Sequence, residues 1–506
     1  MRSIIIAATC WMGVGLLTGC TKLDEKLNAE LTLEEAQEIA DINGLLRGCY
    51  NSFRGPFQDQ TGVFALQDMS SDDCIGPTRG GDWDDNGVWR VLHTHTWDAE
   101  NQRIRDNFNN LLQIVFNTTN LLTFSPPADA AAQALALRAY AMFYVLDLYN
   151  QVPVREPGEN LLQDPQVLVG SEALDKIIED LESAQADLSE TAAPTQATKW
   201  MAKTMLAKAY LNRGVYANRL APTFEAADMD RVIALCDEVI NSGKFQIEDD
   251  FFRNFIPTNT ESSKEIIFAN KNEIGDGGNV RFHFYCGTHY NQTPSGWNGF
   301  TTLANFYDKF EAGDQRRGRE YPGFTDVTGM RVGFLIGQQF NAAGEALKDR
   351  SGNNLVFTRD IAPVISGQVE TPGIRVVKYV PNMTDDIAGT ANNDYVLLRY
   401  SDVLLMKAEA LFRKGNAEDA LDIVNELRDK RGASELTSLT ADILLDERGR
   451  EFYWESWRRH DLIRFGKFLA PYGPTKPGTS DNKYVLFPIP SNALAVNPNL
   501  TQNPGY

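Results

Sequence analysis

Glu447, Glu451 and Glu455 follow one another at steps of four, so on a helix all three carboxylates project from one face. Such a stack could hold a metal, transfer protons, or form part of a buried ion network. A di-iron site asks for Glu-x-x-His on facing helices, and none of the five histidines has a Glu three residues before it. The surrounding run, residues 445–468 (LDERGREFYWESWRRHDLIRFGKF), contains no Pro and reads as helix, with large apolar side chains to bury. Asp446 to Arg450 and Glu455 to Arg459 are acid-before-base pairs at i,i+4, each contributing roughly 0.2–0.5 kcal/mol. Stacked glutamates repel one another, and Arg448, Arg458, Arg459 and Arg464 are the nearest cations to neutralise them. The expectation is a structural network rather than a catalytic one.

Other candidates thin out on inspection. His93 and His95, two apart, would share one face of a strand, but no third metal ligand accompanies them. Asp82, Asp84, Asn86 and Gly87 match the first half of a calcium loop, D-x-D-x-N-G. Its twelfth position should be a bidentate Glu and is His93, so an Asx-rich turn is expected instead. There is no H-E-x-x-H, no G-x-S-x-G, no phosphate-binding P-loop and no G-x-G-x-x-G opening a helix. Two glycosidase carboxylates need a defined separation across a cleft, which linear spacing does not reveal. The chain therefore reads as a binder and not an enzyme, with no cofactor and no metal.

Aromatic side chains in loops point to what it binds. Trp83 and Trp89 lie in, or just beyond, a Gly- and Asp-rich loop at 70–87. Tyr290 and Trp297 lie in HYNQTPSGWNG, among amides and glycines. Sugars present apolar C–H faces edged by hydroxyls, so a carbohydrate platform needs exposed rings beside polar donors and acceptors. Gly296 and Asn298-Gly299 leave both faces of the Trp297 indole open. Arg79, Asp82, Trp83, Asn86, Tyr290 and Trp297 are the candidate ligand-binding residues.

Composition bounds the rest. Lys and Arg number 48 against 68 Asp and Glu, a net charge of −20, the wrong sign for nucleic acid. A short basic start and an apolar run at 4–17 suit a signal segment and are too short to span a membrane. That run ends in Leu17-Thr18-Gly19-Cys20, which resembles a bacterial lipobox with Cys20 as the acylated residue. Cys49, Cys74, Cys236 and Cys286 remain; they show no C-x-x-C spacing, and any disulfide pairing among them stays open.

Helices are expected at 33–53 (Thr32 as N-cap), 101–124, 128–149, 171–188, 198–216, 228–242, 395–414 and 417–431. The last two fit a tetratricopeptide pair, with Leu404, Ala408, Leu411, Ala420, Val424 and Leu427 at the packing positions. Ala207, Tyr210, Cys236 and Val239 echo it. Residues 251–393 are rich in Gly, Asn and Pro, with short β-rich runs at 266–269, 280–285, 332–336, 355–358 and 374–379. The fold class is mainly α: tetratricopeptide-like helix pairs forming a scaffold, with a large loop-rich insertion of short strands. The expected division is a signal peptide (1–19), a lipidated tether (20–31) and an N-terminal helical part with the ligand loop (32–250). The insertion (251–393) and a C-terminal part with helix pair, charged helix and Pro/Asn-rich tail (394–506) complete it.

Several of these motifs carry a resemblance. Glu447-Arg448, Arg450-Glu451, Glu455, Trp457-Arg458-Arg459, Asp461-Leu462 and Arg464 resemble the hallmark segment of the RagB/SusD family of outer-membrane nutrient-binding lipoproteins. Leu137-Arg138-Ala139-Tyr140 before Val152-Pro153, residues 397–411, and the tail LFPIPSNALAVNPNLTQNPGY are similar to the same family. The resemblance implies a structural hallmark segment and a lipid-anchored protein facing the cell exterior. It also implies glycan capture and delivery to a SusC-like TonB-dependent outer-membrane transporter. In that family a loop after the first helix and the large insertion supply the glycan-stacking rings, which Trp83 and Trp297 match by region. A peptide-capturing or protein-scaffolding lipoprotein is the alternative.

Overall fold

The computed structural model describes residues 33–273, 285–367, 369–383 and 392–506. Cys20, Thr32 and most of the strand expected at 280–285 lie outside these. The Leu33–Ile39 helix belongs to a separate N-terminal unit, and residues 41–506 form one compact unit. The helix expected at 33–53 is thus two helices, because Asp41 turns its carboxylate onto the Gly44 N–H and starts Ile42–Asn51 afresh.

The scaffold is helical. Gln102–Thr123, capped by Asn101, packs on Ala128–Tyr149, which packs in turn on Ser171–Ala184. The middle helix has apolar or small residues on every side and is buried along most of its length, as a helix apolar all round must be. Lys199–Leu211, capped by Thr198, pairs with Ala226–Asn241, and Tyr400–Arg413 pairs with Ala417–Lys430. Ala408, Ala420, Val424 and Leu427 are buried between the helices of the last pair, as the tetratricopeptide pattern requires. Residues 395–399, expected as the start of a helix, form a strand paired antiparallel with Ile266–Asn270.

The charged run is not one helix. Ala441–Phe452 ends, Trp454 and Ser456 take left-handed backbone (φ 57° and 64°), and a second helix runs Arg458–Arg464. The break has a tertiary cause: buried Asp73 accepts the Trp454 N–H at 3.2 Å and buried Asp68 the Ser456 N–H at 2.9 Å. The two expected i,i+4 pairs do not form. Arg450 pairs with Glu447, Asp446 with Lys309, and Arg459 with Asp147.

All three glutamates nevertheless enter one buried network. Glu447 meets Arg316 and Arg428, each at 2.7 Å. Glu451 meets Arg431 at 2.8 Å, Arg399 at 2.9 Å and Arg316 at 3.1 Å. Glu455 meets Lys378 at 2.6 Å and Arg399 at 2.8 Å. Apart from Arg450 on Glu447, the neutralising cations come from other segments: Arg448 serves Asp402 and Asp461, Arg458 serves Asp72, and Arg464 serves Glu409.

Short bridges hold three loops together elsewhere. Thr78–Arg79 runs parallel to Val364–Ile365, Ile75 pairs with Thr301, and Thr302 pairs with Ile374. Residues 75–79, 301–302, 364–365 and 374 are thereby fixed side by side.

Candidate functional site

The loop after Thr78 is wound tightly. Arg79 and Asp82 exchange backbone hydrogen bonds of 2.8 Å, and Trp83, Asp85 and Asn86 all have positive φ. For a bulky residue such as Trp83, at φ 61°, left-handed backbone costs on the order of 1–3 kcal/mol and persists only where surroundings enforce it. Here the Trp83 indole N–H donates to the Trp297 carbonyl at 3.1 Å, and the ring lies 4.7 Å, centroid to centroid, from Phe300.

Trp297 comes from a hairpin-like return. Its N–H donates to the Tyr285 carbonyl, Asn298 N–H to Thr288 and Gly299 N–H to Cys286. The Trp83 and Trp297 rings lie 6.2 Å apart, tilted by 47°, and Tyr285 lies 5.6 Å beyond Trp297. Both tryptophans are half-buried, each keeping part of its ring at the surface. The glycine beside Trp297 has a different use from the one expected. A Cβ on Gly299 would stand 2.4 Å from the Trp83 indole, so its bare backbone is the floor on which Trp83 lies.

The polar candidates separate. Asp82 is exposed and accepts from the Tyr290 hydroxyl at 3.1 Å. Arg79 is buried beneath the rings, its guanidinium donating to the Gly299 carbonyl at 3.1 Å and the Pro372 carbonyl at 3.0 Å. Burial, with no carboxylate beside it, lowers its pKa to about 10. Asn86 is exposed and serves the turn. Trp89, singled out with the loop aromatics, is buried, its N–H donating to Asp85.

Residues that linear reasoning passed over complete the rim. The Arg350 guanidinium stacks over the Tyr290 ring at 3.9 Å and pairs with Glu370, while lying 3.8 Å from Asp82. The other Glu370 oxygen accepts from Arg350 N–H at 3.0 Å and meets His289 Nε2 at 2.8 Å. Arg350 stands next to Ser351-Gly352-Asn353-Asn354, where turn chemistry was legible, and Asp349 accepts the Ser351 and Asn353 N–H groups. That turn signal could have drawn attention to Arg350. Arg375, fully buried, donates to Asn298 Oδ1 and to the carbonyls of Glu370, Pro372 and Gly373. Arg79 and Arg375 therefore bolt the tryptophan hairpin to the 370–375 segment.

The metal candidates fall elsewhere. His93 lies in the Arg90–Thr94 helix and His95 is its C-cap, so they do not share a strand face. Both are buried, His93 against the Thr475 hydroxyl and His95 between the Ser70 carbonyl and Ser480. Asp84 is taken by Arg90 and Asp85 by Trp89. Among the described residues no group of three or more His, Cys, Asp or Glu side chains could hold a metal. Cys49, Cys74 and Cys236 are buried free thiols, and Cys286 is buried.

Comparison with known proteins decides the lineage. Residues 264–506 match the model of the SusD family (SusD_RagB). The starch-binding protein SusD of Bacteroides thetaiotaomicron is 26% identical over 495 residues, covering 88% of this chain and 85% of that protein. Residues 264–506 of this chain belong to the SusD family. A SusD superfamily structure from Parabacteroides distasonis superimposes with a TM-score of 0.72 at 18% identity, covering 94% of this chain and all of that one. Surface glycan-binding protein A of B. thetaiotaomicron, solved with laminarihexaose, gives 0.69 at 18% identity over 91% of this chain and 98% of its own. These two likenesses establish the SusD fold. Here the segment that resembles the family hallmark is the buried ion network of Glu447, Glu451 and Glu455.

Proposed function

We propose that this SusD-family protein captures glycans at the cell surface without cleaving them. The observation that carries the reading is the pair of partly buried indoles, Trp83 and Trp297, 6.2 Å apart with Asp82, Tyr290 and Arg350 at their rim. Tilted neighbouring rings offer a sugar two apolar surfaces, and the rim offers carboxylate, phenol and guanidinium partners for its hydroxyls. Starch binding by the SusD relative and laminarihexaose in the surface glycan-binding protein support the same class of ligand. Aromatic contacts of this kind contribute roughly 0.5–1.5 kcal/mol each beyond area burial, which suits multi-point capture of a chain of sugars.

Two further parts follow from the family. Cys20 is the acyl anchor to the outer membrane, and cargo passes to a SusC-like TonB-dependent transporter. Among the described residues no helix is long and apolar enough to cross a membrane.

Isothermal titration of the purified protein against a panel of oligosaccharides tests the reading, with chromatography of each sugar afterwards. Saturable binding with every sugar recovered intact is expected. Turnover abolished by a single carboxylate substitution, or binding of peptides with no glycan bound, would overturn it.

A further inference from the structure

Beside the aromatic pair lie two guanidiniums that, among the described residues, no carboxylate neutralises. Arg375 is wholly buried and donates only to neutral oxygens: Asn298 Oδ1 and the carbonyls of Glu370, Pro372 and Gly373. Arg79 is also buried, gives two hydrogen bonds to carbonyls, and keeps one buried terminal nitrogen, Nη1, with no partner. Burial lowers the pKa of Arg375 well below its ordinary value, and Arg79 beside it lowers it further. A buried, unpaired cation is costly, and the cost is relieved by bringing an anion within reach.

The negative groups nearby are already engaged. Glu370 is shared between Arg350 and His289, whose imidazole burial keeps neutral. Asp82 is held by the Tyr290 hydroxyl and lies against Arg350. Asp84 is paired with Arg90, and Asp85 accepts from Trp89. Arg350 is about half-exposed, so its guanidinium can reach a ligand at the ring edge. Arg350 and Arg90 take Glu370 and Asp84, which leaves Arg79 and Arg375 as the two guanidiniums of this patch that no described carboxylate pairs.

We infer that the platform selects acidic glycans, with a carboxylate or sulfate on the sugar seated beside Arg350 and over the buried pair Arg79 and Arg375. The inference rests on the glycan-binding reading above and narrows it. Stacking on Trp83 and Trp297 is indifferent to charge, whereas the guanidiniums distinguish an acidic sugar from a neutral one of equal length.

Affinity should be measured for three hexasaccharides: laminarihexaose as the neutral probe, an oligogalacturonate for the carboxylate arm and a sulfated galactan for the sulfate arm. At low salt at least one acidic probe should bind roughly tenfold tighter than the neutral one, the scale of one charge-assisted hydrogen bond. The advantage should shrink at high salt, disappear in Arg350→Gln and survive in Arg350→Lys, with melting temperature unchanged in both. Neutral binding as tight as acidic binding, or an acid preference untouched by Arg350→Gln, overturns the inference and leaves the glycan reading standing. No binding of any probe overturns both.

Discussion

Trp83 and Trp297 look alike in sequence, each a tryptophan among glycines and short polar residues, but the structure gives them different duties. Trp83 is wedged between Phe300, Trp89 and the bare Gly299 backbone, and its N–H ties it to Trp297. Trp297→Ala should therefore weaken glycan binding by roughly 1–3 kcal/mol, the range for an aromatic hot spot, with little change in melting temperature. Trp83→Ala should weaken binding similarly and also lower the melting temperature, since it removes packing that holds a strained loop. Titration calorimetry and thermal melts on both variants separate the two effects. Gly299→Ala is the sharper probe. Its methyl group would collide with the Trp83 ring, so affinity should fall although no ring has been removed. Unaltered affinity in Gly299→Ala would show that the position of Trp83 does not matter to the ligand.

Among the elements, the broken charged helix carries most of the buried charge. Glu451 is wholly buried and faces Arg316, Arg399 and Arg431, so Glu451→Ala leaves three guanidiniums short of a partner. Breaking a buried pair costs roughly 3–5 kcal/mol. The exposed Lys430–Asp249 pair is the contrast: Lys430→Ala should cost only ~0–1 kcal/mol. Chemical denaturation of both variants checks this, and equal losses would refute a structural role for the network. How far these elements could be read in advance follows from where their causes lie. The 128–149 helix was legible to the residue because its apolar content and its flanking Pro127 and Asn150 are local. The break at 453–457 was not, because Trp454 and Ser456 do nothing unusual in sequence. They turn because Asp73 and Asp68, 381 and 388 residues away, take their N–H groups. The three glutamates were seen as one network, but Arg316 and Arg399 reach Glu451 across 135 and 52 residues, beyond any periodicity. At the site, the ring-bearing loops were found by composition. Arg350 and Arg375 were missed because each is an ordinary arginine until folding sets it on Tyr290 or under Trp297.

On the scale of the whole molecule, anchoring and acid stability are the properties to test. Cys20→Ala should leave the protein unlipidated or still carrying its signal segment; unchanged lipid labelling in the outer-membrane fraction would refute Cys20 as the anchor. The pH response follows from the buried groups. In Glu447 and Glu409 burial raises the pKa, but the facing arginines outweigh it, Arg316 foremost for Glu447 and Arg464 for Glu409, and both sit at about 2. Unfolded glutamate titrates near ~4.3. A folded value below the unfolded one stabilises the protein above pH ~4.3, and that contribution is lost as pH falls towards 2. His93 has the same sign at a higher pH: burial holds it at about 4, so its contribution is present above pH ~6.5 and is lost between there and 4. Asp73 has the opposite sign. Burial raises it to about 7, so its contribution is full below pH ~3.9 and is lost as pH rises through 7. His93 and Asp73 offset one another between pH 4 and 7. Below about pH 4.5 the unfolded chain takes up protons on glutamates that stay ionised in the fold until about pH 2, and the melting temperature should drop steeply. Calorimetric scans at half-unit steps from pH 8 to 2.5 would show it. A flat profile down to pH 2.5 would mean that the arginine–glutamate network does not hold this fold together.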